Sequence, residues 1–262
     1  MTAVDFEAFV ERLADVAGES VMPFFRTTIG VEDKSGAKGG FDPVTAADHA
    51  GESAMRQLIK STFPSHGIVG EEFANENPDA EYVWVLDPID GTRGFITGLP
   101  TWGTLIGLMK AGSPVYGLMS QPFVKERFWG DGGSARYRGA LGTRKLRVRS
   151  CARIEDAVMS STSPRLFAGA ELAAFEALEG AVRHTRFGGD CYAYCLLAAG
   201  QIDLVVETDL KPYDIVALIP IIEGAGGIIT DWEGGPVTRG GRVVAAGDRR
   251  AHAAALEILT RG

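Results

Sequence analysis

The sequence predicts a mixed α/β sandwich of two lobes, on three observations. Up to Pro64 the apolar residues recur at helical spacing, and after it they form short strand-like runs between turn residues. From residue 157 strand-like and helix-length stretches alternate, the pattern of sheets layered with helices. The chain of 262 residues, 45% hydrophobic and 23% charged, has the composition of a globular protein and the length to bury a large core, as one large domain or two intimate lobes.

Residues 5 to 21 place Phe6, Phe9, Val10, Leu13, Val16 and Ala17 on one helical face, with Thr2 and Asp5 as capping candidates and Pro23 near the end. The stretch "DKSGAKGGFDPVTAAD" reads as an exposed loop, whose residues 33–41 suit either a flap or an idle surface segment. A second helix runs from about Asp48 to Thr62, stopped by Pro64. The runs "GIVG", "YVWVL", "WGTLIGLMK", "VYGLMSQPF", "ERFWG" and "KLRVR" predict a mainly antiparallel sheet. Then come "AVMSS", a helix near 169–180, "VRHTRF", a helix near 190–199, "IDLVVE", a helix from Asp214, "GGIIT", "RVVAAG" and a final helix. The lobe boundary is expected between 138 and 156, giving lobes 1–145 and 146–262. Thirty-four glycines, scattered between apolar runs, are expected to serve tight turns.

A net charge of −8 argues against a nucleic-acid surface, and an anionic ligand would need local cations or backbone N–H groups. No apolar stretch approaches eighteen residues and no basic segment precedes an apolar one at the N-terminus, so a cytoplasmic protein with no membrane partner is expected. Three cysteines read as reduced core thiols, with Cys191 and Cys195 able to share a helix face.

The informative carboxylates sit beside apolar runs. Glu71 and Glu72 end "GIVG", Asp87 and Asp90 end "YVWVL", Asp48 heads the second helix, and Asp214 opens "IVALIPII". Each has a plainer reading. Asp48 and Asp214 would also serve as helix N-terminal carboxylates worth about 1 kcal/mol each. Glu72 reads as a solvated neighbour, and Asp87 and Asp90 could merely frame a turn through Pro88 and Gly91. If Glu71, Asp87, Asp90 and Asp214 converge, each pair of charges about 4 Å apart repels by roughly 4 kcal/mol at an effective dielectric of 20, and a cation must compensate. Oxygen-only ligation suits Mg²⁺, or Mn²⁺ in its place, better than Zn²⁺, and none of the four histidines has ligand spacing. Gly91 and Thr92 then offer backbone N–H groups to a phosphate, while the Thr92 side chain either caps a helix or orients a water.

The stretches "DPVTAAD" (42–48), "GEE" (70–72), "DPIDGT" (87–92) and "YDIVALIPIIEGAGG" (213–227) resemble, in order, the motifs of the inositol monophosphatase family of Mg²⁺-dependent phosphatases. The resemblance implies the family's layered αβαβα sandwich, a small phosphomonoester substrate and a homodimer. It implies metal ligation by Glu71, Asp87, the Ile89 carbonyl, Asp90 and Asp214, and direct attack of water on phosphorus. Thr92, bonded to Asp48, and Glu71 would serve catalysis. Gly91 and Thr92 would hold the phosphate, and Asp90 would assist the leaving alkoxide. Where the family often has Trp before the late ligand, this chain has Tyr213.

"DPIDGTRGFITGLPTWGTLIGL", "GGDCYAY" and "ETDLKPYD" resemble the histidinol-phosphate phosphatase branch, which implies carboxylates for an ammonium and an imidazole. Asp190 and Glu207 are those expected near the cation, with Asp214 beside the substrate and Gly188 and Gly189 permitting close approach. Asp190 could instead cap the following helix, and Glu207 could be an exposed strand end. Arg186 would reach the imidazole side or pair on the surface. Inositol monophosphate and nucleotide 3′-phosphates are the competing substrates. A haloacid-dehalogenase phosphatase would need two Asp residues two positions apart, where this chain has three, and a metal- or phosphate-sensing module would keep the cleft without turnover.

Overall fold

The computed structural model describes residues 5–27, 31–33 and 43–261. Thr2 and the loop at 34–42 lie outside the described residues, and with them the flap expectation.

Helix α1 (Phe6–Val21) begins where the Asp5 carboxylate accepts the Ala8 N–H at 3.2 Å, and it turns into a short 3₁₀ segment (Met22–Phe24) at Pro23. Strands β1 (Val31–Asp33) and β2 (Pro43–Thr45) form a separate antiparallel pair ahead of α2 (Ala46–Thr62). Next come β3 (Gly67–Gly70), β4 (Tyr82–Asp90), α3 (Thr92–Thr97), β5 (Gly103–Lys110), β6 (Ser113–Gln121), β7 (Glu126–Gly130), β8 (Ala135–Gly139) and β9 (Gly142–Lys145). These strands form one seven-stranded sheet in sequence order, antiparallel except for the β3–β4 pair.

The second half contains β10 (Val158–Ser161), α4 (Gly169–Ala181), β11 (His184–Phe187), α5 (Asp190–Ala198), β12 (Leu204–Leu210), α6 (Pro212–Ile215), α7 (Leu218–Gly224), β13 (Ile228–Thr230), β14 (Gly241–Ala246) and α8 (Arg249–Leu259). Its sheet has the order β11-β10-β12-β14-β13.

Alternation along the strands builds five layers. Trp84, Leu86, Ile106 and Leu118 pack under α1 and α2 with Phe9, Leu13, Met55 and Ile59. Leu105, Met119 and Phe128 face the other way, joining Val205, Val243 and Ala245 around the middle helices α5 to α7. Leu204, Val206 and Val244 face outward again, under α4 and α8 with Phe175 and Trp232. Both sheets are covered on both faces, which is why their central strands read as continuous apolar runs. The result is the two-lobed αβαβα sandwich expected from the sequence.

Three readings change. "KLRVR" is no strand beyond Lys145; the sheet's edge is formed by β8 and β9, whose Arg, Thr and Lys residues face solvent and carry no apolar signal. The helix expected from Asp214 is broken into α6 and α7, because Pro220 has no N–H for the Val216 carbonyl. Not all glycines serve turns. Gly107, Gly117 and Gly130 are cross-strand neighbours on β5, β6 and β7, where Cβ atoms would lie 2.9 Å from Val216 Cγ1, 1.8 Å from the Ala217 oxygen and 2.5 Å from the Pro220 oxygen. That row lets the backbone at 216–220 lie directly on the sheet.

Candidate active site

Residues three apart on a regular strand point to opposite faces, so Asp87 and Asp90 should not meet. They do because β4 bulges: Asp87 pairs with Leu105 and Asp90 with Gly103, so the chain takes three steps against two. The bulge is held from within. Asp87 Oδ1 accepts the Ile89 N–H at 2.9 Å, and Thr104 donates to the Pro88 carbonyl at 2.8 Å. Asp214, on α6 above the glycine row, completes a trio whose ligand atoms all lie within 4.8 Å of one another. Asp214 Oδ2 also accepts the Lys211 N–H at 2.7 Å, so the third residue of α6 closes the first turn of its helix while its side chain lies in the acidic group.

Asp87 is buried, and burial drives its carboxyl well above the usual range, reinforced by Glu71, then Asp90, Asp214 and Asp48. Asp90 is pushed up by burial and by Asp190 and Asp214, against the Cys191 N–H that donates to its Oδ2 at 2.6 Å. Glu71 and Asp48, the latter buried in the first turn of α2, thus share the field of the trio without belonging to it. Glu72 is not a solvated neighbour: its side chain is 1% exposed and pairs with His49 Nε2 at 2.9 Å.

The donor set fits a hard divalent cation. It offers only oxygen, its like charges require compensation, and the Ile89 carbonyl, which accepts the Thr92 hydroxyl at 3.1 Å, has a second lone pair. Thr92 opens α3 after Gly91, whose φ of 85° is left-handed. A Cβ on Gly91 would lie 3.2 Å from Asp190 Cβ and from Trp102 Cα, so glycine brings the two lobes together here.

Asp190 is the first residue of α5, with φ of 43°, and is not the N-cap, a position held by Gly189. Glu207 is not an exposed strand end: it is 1% exposed on β12, and burial pushes its carboxyl up to about 8. Thr162 joins the two, its hydroxyl lying 3.2 Å from Asp190 Oδ1 and 3.0 Å from Glu207 Oε1, while its N–H donates to Glu207 Oε1 at 2.8 Å. The sequence reading missed Thr162; "SSTS" after a strand carries no signal beyond a turn. It also missed Arg93, which draws the Asp190 carboxyl down against the larger effect of burial.

Gly188, at φ 79°, donates its N–H to the Thr162 carbonyl at 3.0 Å, and a Cβ on Gly189 would meet Ala193 Cβ at 2.9 Å. Arg186 stands exposed on β11, with no side-chain partner among the described residues, so the surface pairing is not made. Cys191 and Cys195 are free and buried, their thiols pushed up by burial, as core thiols should be.

The model of the inositol monophosphatase family matches residues 4–261. The chain is 44% identical to the chloroplastic bifunctional phosphatase IMPL2 of Arabidopsis thaliana over 97% of its length and 75% of that protein. It is 36% identical to a histidinol-phosphatase of Mycobacterium tuberculosis, over 79% of this chain and 81% of that one. Among solved structures, an inositol monophosphatase from Zymomonas mobilis superposes with a TM-score of 0.86 at 41% identity, covering 98% of this chain and 100% of the other. A family match over nearly the whole chain, with the acidic motifs gathered at one edge, leaves one conclusion: the chain belongs to the inositol monophosphatase family.

Proposed function

We propose that this member of a hydrolase family is a Mg²⁺-dependent phosphomonoesterase that prefers histidinol phosphate, releasing histidinol and phosphate. The observation that carries the substrate is the Asp190–Thr162–Glu207 group next to the acidic trio. A neutral polyol is matched by hydroxyl and amide partners, whereas buried Glu207 and half-buried Asp190, meeting at one hydroxyl, are acidic groups that a cationic substrate would suit. The curated relative named a histidinol-phosphatase supports the same reading.

The residues that would hold Mg²⁺, or Mn²⁺ in its place, are Glu71, Asp87, the Ile89 carbonyl, Asp90 and Asp214. When bound, the metal supplies neutralisation of phosphate charge and a water acidic enough to attack phosphorus. Gly91 and Thr92 present N–H groups to the phosphate at the start of α3. Thr92, with Asp48 and Glu71, orients the water, and Asp90 assists the departing alkoxide. Gly188 and Gly189 let the Asp190 segment approach the substrate, and Arg186 faces the imidazole side. In this reading residues 1–145 supply the metal and phosphate groups and 146–262 supply recognition and one further ligand. A cytoplasmic homodimer completes it, with exposed Leu99 and Phe123 as apolar surface for a second copy, near Arg26, which donates to the Gly98 carbonyl and lies over the Phe123 ring.

A second reading, hydrolysis of inositol 1-phosphate, is favoured by the likeness to the Zymomonas mobilis inositol monophosphatase. A panel of phosphomonoesters with Mg²⁺ decides by kcat/KM. Histidinol phosphate should lead inositol 1-phosphate and a nucleotide 3′-phosphate; equal rates would defeat the substrate assignment, and no metal-dependent phosphate release from any ester would defeat the enzyme.

A further inference from the structure

Glu52 lies one helical turn beyond Asp48 on α2, fully buried and outside the acidic trio. Both its oxygens face the chain leaving β3. Oε2 accepts the Glu72 N–H at 2.7 Å; Oε1 accepts the Phe73 N–H at 3.3 Å and Arg56 Nε–H at 2.7 Å. Arg56, its side chain 8% exposed, donates Nη2 to the Phe73 carbonyl at 3.2 Å and Nη1 to Glu76 Oε1 at 3.1 Å. The pair therefore grips the N–H and C=O sides of one turn. The approach requires a glycine, since a Cβ on Gly70 would lie 2.1 Å from Glu52 Oε1.

A buried ion pair is an expensive way to satisfy two N–H groups that water could satisfy in an open turn. What it adds is position. The residue leading into the gripped peptide is Glu71, whose charge opposes that of Asp87. A gripped turn holds the backbone next to Glu71 against that repulsion before any metal is present.

We infer that Glu52, supported by Arg56, is a positioning residue that holds Glu71 in place before a divalent cation arrives and so sets the affinity for that cation. The inference rests on the metal-centre reading above. Glu52→Gln keeps the volume but leaves one oxygen, so its amide must turn a donor toward another donor.

Calorimetric titration of Mn²⁺ into the full chain tests it. Kd should weaken by about 10- to 100-fold, the range for losing a partner that orients a ligand, while kcat at saturating metal falls by less. Arg56→Gln, which keeps Glu52 and loses the Phe73 carbonyl contact, should weaken Kd in the same direction by less. A merely structural role lowers the melting temperature and leaves Kd unmoved. A folded Glu52→Gln protein with wild-type Mn²⁺ affinity overturns the proposal, and if that variant does not fold, unchanged affinity in Arg56→Gln does so. Failure of the underlying reading looks different: Asp87→Asn would then bind Mn²⁺ as the parent does.

Discussion

The Cys191 N–H donates to Asp90 Oδ2 at 2.6 Å, joining the first turn of α5 to the bulged end of β4 across 101 positions of sequence. Through this bond Asp190, proposed above to recognise a cationic substrate, is placed next to the edge that carries the acidic trio. The proposed recognition group and the acidic edge therefore share one geometry, and substitutions can separate them.

Asp190→Asn should act on substrate choice. Asparagine tolerates the left-handed φ of 43° and retains an oxygen for Thr162, so the fold should hold. Loss of the charge facing a buried cation corresponds to about 2 kcal/mol, or roughly 30-fold in kcat/KM for histidinol phosphate. The value for inositol 1-phosphate should change far less, and an equal loss on both esters would remove Asp190 from recognition.

Asp87→Asn should separate stability from activity. The Asn oxygen can still accept the Ile89 N–H, and a buried charge opposed by its neighbours is gone. Thermal unfolding without metal at pH 8 should move up by about 3 °C, equivalent to about 1 kcal/mol in a chain of this size. Mg²⁺-dependent turnover should be abolished, and near-normal activity would sink the ligand assignment.

Glu207 governs a pH dependence. Its carboxyl rises from 4.5 to about 8 on folding, so the folded chain keeps a proton that the unfolded chain releases. Without metal, this group's contribution to stability is therefore fully present below about pH 4.5 and falls as pH rises to about 8, by roughly 5 kcal/mol over the whole interval. Glu207→Gln should flatten that decline in urea unfolding between pH 5 and 8.5. Identical slopes for the two proteins would show that Glu207 ionises freely in the fold.

Gly91→Ala tests the junction of the lobes. The new Cβ would be strained at φ 85° and crowded by Asp190 and Trp102 at 3.2 Å. Urea unfolding should show a loss of about 1–2 kcal/mol, accompanied by a lower kcat/KM; a neutral effect on both would mean that the junction yields easily.

The positions of the acids were legible because each one ends an apolar run or opens a helix, and a charge at the rim of a core is conspicuous. The layers were legible for a related reason: β12 and β14 alternate faces with every residue, and both faces are buried. Strands β8 and β9 were not, since "ARYRG" and "GTRK" lie at a solvated edge where pairing, not hydrophobicity, makes the strand. Nor was the burial of Glu72 and Glu207, because a carboxylate looks the same in sequence whether its partner is water, His49 or Thr162.

By itself the sequence determined the apolar faces, the order of the acidic motifs and hence the family, all properties carried by neighbours along the chain. Tertiary structure alone decided that Asp87 and Asp90 share a face, through one extra residue in β4, and that the glycine row on β5 to β7 lets Asp214 settle above them. The physical reason is that register, bulges and close backbone approach are relations between strands and helices distant in sequence. Their energies come from hydrogen bonds and contacts that exist only once both partners are in place.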